Sequence, residues 1–374
     1  MKNLRKTYTN KFLLLLLIFC SISFSNISAQ NSVEPDQNVE EEFNAGEMII
    51  GHIVDAHEWH ILSFKDFHLT VPLPIILYDQ GKIVCFSSSK FSHGHSYNGY
   101  KLMTSGDKKG KIVKVDENDN MIADAKLPLD FSITKNVVGI FVAAILLMVI
   151  FISVAKRYKG DNNKPPKGLQ SFLEPIVLFV RDDVVRPSIG EERYQKFLPF
   201  LLTLFFFILF SNLLGLIPIF PAGANVTGNM SVTLVLAMFT FFVTNIFGSK
   251  SYWKDIVNTP GVPIFLKVPI PLMPIIEIIG LLTKPIVLMV RLFANITAGH
   301  IIILGFISII FLFGANSPFA GVAVSPLSII FSLFISALEI LVAFIQAYVF
   351  TLLSSIYIGI STEDHSEHIE ETAK

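Results

Sequence analysis

One apolar stretch, from about residue 268 to 313, is too long to cross a lipid bilayer as a single upright helix. A helix of about 45 residues rises about 65 Å, roughly twice the ~30 Å thickness of a bilayer's hydrocarbon core. A second apolar stretch, from 325 to 360, presents the same difficulty. We therefore expect two long helices that lie steeply tilted, because only protein neighbours can hold a helix far from the bilayer normal.

Three shorter apolar segments precede these two, at 134–155, 197–220 and 229–248. The 374 residues are 52% hydrophobic and only 16% charged, which is typical of a chain whose main solvent is lipid. The predicted fold is an all-α polytopic membrane protein with about five membrane helices over residues 133–360, the last two forming a long, strongly tilted antiparallel hairpin. The segment 168–187 mixes apolar and charged residues, which suits a helix lying at the membrane interface.

The N-terminal segment, residues 1–29, has the composition of a secretory signal peptide. Basic residues come first, an apolar run follows from Phe12 to Cys20, and small residues lead to Ala29, after which we expect cleavage. The alternative is an uncleaved membrane helix, although the apolar run is short beside the ~20 residues of a span. With either interpretation, residues 30–132 are expected outside the membrane on the exported side.

The exported segment 30–132 is polar and contains short alternating apolar runs at 75–78 and 111–115, which predict a small strand-containing domain. No cysteine accompanies its histidines at a zinc-ligand spacing, so surface or interface histidines are favoured over a metal site. The histidines are His52, His57, His60, His68, His93 and His95. Once the signal is removed, Cys85 is the only cysteine, so no internal disulfide is expected.

The distribution of basic residues predicts the orientation in the membrane. Lysines and arginines follow the first membrane segment, at 156–167, and the third, at Lys250 and Lys254, so both of those ends are expected in the cytoplasm. With an exported N-terminus, the five helices then alternate consistently and leave the acidic tail, 361–374, in the cytoplasm. The expected localisation is a bacterial inner membrane. The net charge of -1 gives no basic surface that would attract nucleic acid.

Seven polar side chains lie within the two long apolar stretches, where lipid should exclude them. An ionised group costs at least about 2.5 kcal/mol at the bilayer centre, so such residues usually face protein or water and mark an ion path. The seven are Glu277, Lys284, Arg291, Asn295, His300, Glu339 and Gln346. For Glu277 and Lys284, which are near the expected cytoplasmic end, snorkelling to the interface is an equally good interpretation.

The spacing of these residues places them in two layers. If the two long stretches form a hairpin, residues equally far from its turn lie at equal depth. Arg291 and Gln346 are nearly equidistant from residue 319, as are His300 and Glu339, and the sequence from Gly314 to Gly321 is the strongest turn signal in the region. Asn295 follows Arg291 by one helical turn and shares its face, whereas His300 points to the opposite side. Arg291 could therefore face a partner while His300 lines an inner passage.

The sequence around Arg291 reads Lys284-Pro285-Ile-Val-Leu-Met-Val-Arg291-Leu-Phe-Ala-Asn295-Ile-Thr-Ala-Gly299-His300. This segment resembles the signature of subunit a of F-type ATP synthases. That signature is an arginine followed by Leu-Phe-x-Asn and then by Ala-Gly. The segment Asn212-Leu-Leu-Gly-Leu-Ile-Pro218 and the position of Gln346 match as well, and the resemblance covers about residues 134–362. The chain departs from the family at Gly215, where some bacterial members carry aspartate. In some members of the family, the acidic residue and the histidine of the outer layer occupy exchanged positions. The chain, with His300 and Glu339, resembles that exchanged arrangement.

The resemblance implies a stator subunit that carries ions, which we expect to be protons, past a rotating c-ring of small hairpin subunits. Arg291 would interact with the carboxylate of the ring, and Asn295 and Gln346 would orient its guanidinium. His300 with Glu339 would form the outer half-channel.

The remaining matches imply supporting roles and partners. Glu277 would belong to the cytoplasmic half-channel, and supporting positions would be Lys284, Pro285, Asn212 and Pro218. The partners implied are the c-ring, the peripheral stalk subunit b, the rest of the ATP synthase complex and the lipid bilayer. The resemblance implies no cofactor and no metal, and the subunit would make no ATP itself.

Two other classes of protein also place polar residues within membrane helices. A secondary transporter with a polar substrate site at the midplane would usually show repeated halves with paired broken helices, and the sequence contains no internal repeat. An intramembrane enzyme would need a catalytic motif such as His-Glu-x-x-His or Gly-x-Ser-x-Gly, and the sequence contains neither.

Overall fold

The computed structural model describes residues 44–64, 67–104, 106, 108–116, 118–122, 125–158, 166–217, 223–258 and 272–363. The chain divides into two compact units. The first contains the residues up to Val142 with Leu214–Ser231 and Gly299–Ser336, and the second contains Ala143–Leu213, Val232–Ala298 and the residues from Ala337 onward. The predicted signal peptide lies outside the described residues, as does most of the predicted acidic tail.

The first unit begins with a small domain of short strands, all paired antiparallel. Its elements in chain order are α1 (Ala45–Ile53), β1 (Glu58–Phe64), β2 (Phe67–Pro72), β3 (Pro74–Asp79), β4 (Lys82–Ser87), a 3-10 helix (Ser88–Gly94), β5 (Tyr100–Leu102), β6 (Ile112–Lys114) and β7 (Leu129–Asp130). β1 pairs with β2, β3 lies between β4 and β7, and β5 pairs with β6. The predicted strand runs at 75–78 and 111–115 fall on β3 and β6, which confirms them.

The core of this domain is built around β3. Ile75 and Leu77 alternate inward with 0% exposure, as a half-buried strand requires, and they cluster with Phe91 and Ile112. A two-residue turn joins β3 to β4, and both of its residues have positive φ, 46° at Gln80 and 82° at Gly81. Positive φ at both central residues is the geometry that matches the twist of a tight hairpin.

Asp55 joins the small domain to the first long helix, α2 (Lys135–Tyr158). Its carboxylate accepts hydrogen bonds from the hydroxyl of Thr134 (2.8 Å) and the backbone N–H of Asn136 (3.0 Å), and so satisfies one of the amide groups that a helix N-terminus leaves without a partner. Burial raises the pKa of Asp55, and these hydrogen bonds offset only part of that effect. Nearby, His57 Nε2 lies 2.7 Å from the Asp130 carboxylate. The domain and the helix are therefore firmly connected.

The remaining chain is helical. Its helices are α2, then α3 (Leu169–Phe179), a π-helix (Val180–Val185), α4 (Arg186–Ile189), α5 (Tyr194–Leu216), α6 (Met230–Ile246), α7 (Lys250–Val257), α8 (Leu272–Asn316) and α9 (Pro318–Thr362). Within the described residues, four helices are long and apolar enough to cross a membrane, and α6 with α7, bent by 102°, would make a fifth. This agrees with the predicted count of about five, although α9 begins seven residues before the predicted segment at 325.

The core of the second unit is formed mainly by aromatic and branched side chains of α5. Phe205, Phe206, Leu201 and Ile208 are at most 1% exposed, and they pack in one cluster with residues of α3, α6, α8 and α9. The predicted interfacial segment 168–187 is helical from Leu169 onward, and its buried side chains Leu173, Val180 and Val185 join the same cluster. α5 is thus a central helix of this unit, on which the functional helices pack.

Within the first unit, α8 and α9 meet in a tight hairpin with only Ser317 between them. A Cβ placed on Gly321 would lie 2.8 Å from the Cα of Gly314, so glycine is needed for this close approach. The rings of Phe306 and Phe331 stack at 5.3 Å. These two residues are nearly equidistant from residue 319, which confirms the predicted register of the hairpin near its turn.

Candidate functional site

The middle of α8 has one buried face and one exposed face. Leu288, Leu292 and Ile296 are 1%, 1% and 3% exposed, and they join the core of the second unit at the spacing of a helical stripe. Arg291 and Asn295 are exposed and lie beside this stripe, with Arg291 about 100° around the helix from Leu292. The prediction that these two share a face is confirmed. The guanidinium is therefore presented on an outward apolar surface, available to another molecule.

The polar residues of α9 are buried instead. Glu339 is 3% exposed and Gln346 is 6% exposed. Between them, the backbone carbonyl of Ala343 accepts a hydrogen bond from the amide of Asn212 on α5 (3.3 Å). Ala343 is 0% exposed, and its small side chain suits the close contact between the two helices. Asn212, predicted as a supporting residue, thus fixes α9 beside the level of Gln346.

Lys284 lines a small, largely apolar cavity nearer the start of α8. Its ammonium lies 5.3 Å from the ring centroid of Tyr357 and 6.0 Å from that of Tyr252, and it interacts electrostatically with Glu277. Aromatic faces at such distances stabilise a cation in a poorly solvated site. The buried Pro285 lines the same cavity, together with Thr244 and Asn245 of α6.

The two tyrosines were not among the residues predicted from the sequence. Tyr357 follows Gln346 by eleven residues, or about three helical turns, so it lies on the same face of α9. That spacing predicts from the sequence that Tyr357 shares a face with Gln346. Tyr252 belongs to the short helix α7, and only the 102° bend between α6 and α7 points to its position.

His300 lies beside the last turn of α5. A Cβ placed on Gly215 would be 3.8 Å from His300 Nε2 and 3.3 Å from the backbone oxygen of Ala224. The imidazole is therefore directed at the position where some bacterial relatives of the resembled family carry aspartate. His300 belongs to the first unit and Glu339 to the second, so their pairing stays a prediction.

The remaining predicted positions are Pro218 and the six histidines of the small domain. Pro218 lies outside the described residues. Of the six histidines, His60, His68 and His93 are not among the side chains that the structure describes, and His57 bonds to Asp130. Across the described part of the chain, no group of three or more His, Cys, Asp or Glu side chains is placed to hold a metal ion.

These features define a class: a multi-pass membrane protein with a cationic side chain on one exposed helix face and buried polar groups on the neighbouring helix. Comparison with known proteins then identifies the family. The model of the ATP synthase A chain family matches residues 137–359, and a second model, a domain of unknown function (DUF8433), matches residues 48–131.

Several bacterial relatives are similar over about two thirds of the chain. The chain is 48% identical over 255 residues to ATP synthase subunit a 2 of Chlorobaculum tepidum, covering 66% of this chain and 68% of that one. It is 45% identical over 245 residues to ATP synthase subunit a of Chloroherpeton thalassium, covering 64% and 69% respectively. It is 42% identical over 249 residues to ATP synthase subunit a of Myxococcus xanthus, covering 64% and 77%.

The chain belongs to the ATP synthase A chain family, because that family's model matches more than half of its length. It is a multi-pass membrane protein of the ATP synthase complex, in the position of the proton-translocating stator subunit of the membrane sector.

Proposed function

We propose that Arg291 interacts with the carboxylate of each passing c-ring subunit, and that protons reach and leave the ring through two separate half-channels in this chain. The observation that carries the proposal is the exposed position of Arg291 on α8, while Leu288 and Leu292 hold the adjoining face of the helix in the core. A side chain in that position is available to a neighbour that moves past it.

The chemistry follows from the charge of the guanidinium. Arginine stays protonated at every accessible pH, so Arg291 attracts an ionised carboxylate but passes no proton itself. Opposite charges about 4 Å apart attract by about 4 kcal/mol at an effective dielectric constant of 20, which favours proton loss from a carboxyl group as it approaches. Arg291 thereby discharges the ring site and prevents protons from leaking directly between the half-channels.

The outer half-channel uses His300 and Glu339. An imidazole can accept a proton on one ring nitrogen and release one from the other, and the exchanged order of the two residue types keeps one imidazole and one carboxylate. The burial of Glu339, at 3% exposed, supports a role inside the protein rather than on a lipid-facing surface. Asn295 and Gln346 orient the guanidinium at the boundary between the two half-channels.

The cytoplasmic half-channel begins at Glu277. The surroundings of Lys284 support this assignment, because Lys284 interacts with Glu277 and lies over two tyrosine rings, whereas snorkelling residues extend toward water. In this proposal Lys284 holds Glu277 near the pathway, and Pro285 and Asn212 fix the helices that carry it.

The arrangement in the membrane completes the proposal. Residues 1–29 are removed as a signal peptide, 30–132 form a periplasmic domain, 133–360 form the membrane domain, and the tail 361–374 is cytoplasmic. α8 and α9 lie strongly tilted against the c-ring, because each helix of 45 residues would otherwise be about 65 Å tall in a bilayer core of ~30 Å. The peripheral stalk subunit b is a further partner.

Replacement of Arg291 by alanine tests the proposal. In the purified complex reconstituted in liposomes, Arg291→Ala should abolish ATP synthesis driven by a proton gradient while the complex still assembles. Arg157→Ala is the control, since Arg157 is an exposed arginine at the end of α2, and it should synthesise ATP normally.

The opposite result would be substantial synthesis by the Arg291→Ala complex. Purification also separates the proposal from the alternative of a secondary transporter. A stator subunit should be isolated with the c-ring and the soluble ATPase subunits, whereas a transporter should be isolated alone.

A further inference from the structure

The three-stranded sheet of the small domain carries apolar side chains on both of its faces. Its inner face holds Ile75 and Leu77 in the core. On its outer face, Tyr78 of β3 lies opposite both Ile83 of β4 and Leu129 of β7, so the three side chains form one row across the sheet. They are 42%, 70% and 58% exposed, respectively. An antiparallel sheet that faces water on one side normally carries polar residues there, so this row favours a partner other than water.

A second apolar row continues this surface toward α2. Ile76 lies opposite Cys85, and the backbone N–H of Phe131 donates a hydrogen bond to the Ile76 carbonyl oxygen at 2.8 Å. Phe131 is 40% exposed and follows Leu129 by two residues, so both lie on the same side of the extended chain. A contiguous apolar surface, unlike a single exposed residue, marks a site of interaction. We call this surface the outer face: Ile76, Tyr78, Ile83, Cys85, Leu129 and Phe131.

The chain that leads into α2 is inverted relative to a strand that faces water. Leu127, Leu129 and Phe131 are exposed, whereas Pro128 and Ser132 are buried and Asp130 is partly buried. Asp130 bonds to His57, and the Ser132 hydroxyl accepts a hydrogen bond from the Ile76 N–H at 3.1 Å. Side chains alternate with a period of two, so turning the apolar ones inward would break these bonds. The register of the strand therefore fixes the apolar side chains outside.

Hydrogen bonds hold the outer face next to the start of α2. The N–H of Ile133 donates to the carbonyl oxygen of Pro74, the first residue of β3, at 3.0 Å. The N–H of Lys135, the first residue of α2, donates to the carbonyl oxygen of Ala56 at 2.9 Å. The sheet is thus bonded to the chain up to the first residue of the helix, and it cannot move away from the point where α2 begins.

The length of α2 places its start near the edge of the bilayer core. Its 24 residues rise about 36 Å, only slightly more than the ~30 Å of the hydrocarbon core. Its last turn carries Lys156 and Arg157, which favour water, so little length remains at the other end. Phe131 precedes Lys135 by four residues, which at full extension span at most about 14 Å. The outer face therefore lies within reach of the lipid headgroups.

The polar groups beside the outer face are suited to a phosphate-bearing lipid surface. Among the described residues, the exposed charged neighbours of these side chains in the sequence are Lys82, next to Ile83, and Lys126, next to Leu127. Each lysine has a long apolar stem, along which its ammonium reaches a phosphate group. Tyr78 combines an apolar ring with a polar hydroxyl, as residues at a membrane interface do. These features favour lipid over an apolar protein surface.

We propose that the outer face docks onto the lipid surface of the membrane that α2 enters. The apolar rows lie at the boundary between headgroups and acyl chains, and Lys82 and Lys126 bind phosphate groups. The small domain is then an anchor that holds the start of α2 at a fixed depth. This inference goes beyond the proposed function, because it depends only on α2 crossing the membrane and involves neither Arg291 nor the half-channels.

Photochemical cross-linking in the complete complex tests the docking. A benzophenone side chain, which inserts into nearby C–H bonds on irradiation, replaces Ile83 in complexes reconstituted with equal parts of phosphatidylethanolamine and phosphatidylglycerol. Lys90 is the matched control position, because it is exposed on the 3-10 helix whose Phe91 packs on the inner face. Mass spectrometry of the cross-linked chain should find lipid adducts at least about tenfold more often from position 83 than from position 90.

A charged substitution within the outer face provides a second readout. Leu129→Asp adds a carboxylate to the row that contains Ile83, and it should lower the lipid adducts of the probe at position 83 several-fold because anionic lipid repels it. Lys90→Asp adds the same carboxylate on the other side of the sheet and should leave these adducts unchanged. Both residues are exposed, so both variants should assemble like the wild type.

Three outcomes would overturn the inference. The probe at position 83 could attach to another protein chain instead of lipid, positions 83 and 90 could give equal lipid adducts, or Leu129→Asp could leave the adducts of position 83 unchanged. Each is distinct from a failure of the proposed function, which would be recognised by continued ATP synthesis in the Arg291→Ala complex and would not alter the adducts.

Discussion

The small domain and the long helices use charged side chains in opposite ways. In the domain, the Asp79 carboxylate accepts a hydrogen bond from the Tyr100 hydroxyl (2.8 Å) and lies 2.5 Å from the Lys114 ammonium. In the helices, Arg291 lies on an exposed apolar face and Lys284 rests over aromatic rings. A charge with a close, fixed counter-charge stabilises a fold, whereas a charge presented toward a neighbour is available for transport.

The domain's hydrogen bonds also fix the protonation states of its groups. The hydrogen bond from Lys114 is the main cause that keeps the pKa of Asp79 below its usual value. Burial and the neighbouring Asp79 carboxylate raise the pKa of Tyr100 to about 12. Both groups hold one charge state across the physiological range, so this network is structural. A residue of a proton path must instead change its protonation state, as proposed for His300.

The largest effect that would sharpen this contrast is expected at His300 and Glu339. His300→Glu or Glu339→His alone should lower proton-driven ATP synthesis by at least about a hundredfold, because each leaves two groups of the same kind. The double exchange should be milder than either single change. ATP synthesis by reconstituted complexes measures all three, and additive losses would show that the two residues act independently.

An intermediate effect is expected at Asp55, a charged residue whose role is to stabilise the fold. Asp55→Ala removes the acceptor for Thr134 and Asn136 and should destabilise the small domain by about 2 kcal/mol without changing synthesis per assembled complex. Urea unfolding followed by the fluorescence of Trp59, 3% exposed, measures this in a Trp253→Phe background. A loss of proton flux with unchanged stability would contradict the division between the two regions.

Asp55 also makes a prediction about pH. Because burial raises its pKa in the folded domain, the protonated acid is favoured there, and its contribution to stability is present at low pH and lost as pH rises through the folded pKa. The wild-type domain should therefore lose more stability than Asp55→Asn as pH rises from about 4 toward neutrality. The same fluorescence assay measures the difference, and parallel pH curves would exclude this role for Asp55.

The smallest effect is expected at Tyr100. Tyr100→Phe removes one hydrogen bond to Asp79 and should cost about 1 kcal/mol at neutral pH. The tyrosine's pKa rises from 10.0 to about 12 on folding, so its contribution is complete below pH 10 and is lost as pH rises toward 12. The phenylalanine variant should lack this alkaline loss of stability. Identical alkaline unfolding of both proteins would show that Tyr100 does not titrate in this network.

Much of the membrane part was predictable because its signals are local. The length of the apolar stretches predicted the long helices, and the four-residue spacing of Arg291 and Asn295 predicted that they share a helix face. The stack of Phe306 on Phe331 confirms a hairpin register that depends only on counting residues from a turn. These features follow from helical geometry, which is the same wherever a helix packs.

Other features depend on contacts between distant segments and had no local signal. Tyr252 and Tyr357 lie near Lys284 although they belong to two other helices. The sequence around Lys284 contains no pattern that predicts these contacts. The loop after α5 is buried at Ala224 and depends on the absence of side chains at Gly139 and Gly215, positions far apart in the chain. The two-residue strand β7 is too short to show any alternation.

The contact of Asp55 with the start of α2 has a consequence for biosynthesis. The last strand of the small domain and the groups that donate hydrogen bonds to Asp55 lie between residues 129 and 136, directly ahead of the first long helix. A nascent chain that ends before residue 129 lacks both, so the domain can close only after the ribosome has begun the first membrane segment. Completion of the domain consequently cannot precede synthesis of the start of that segment.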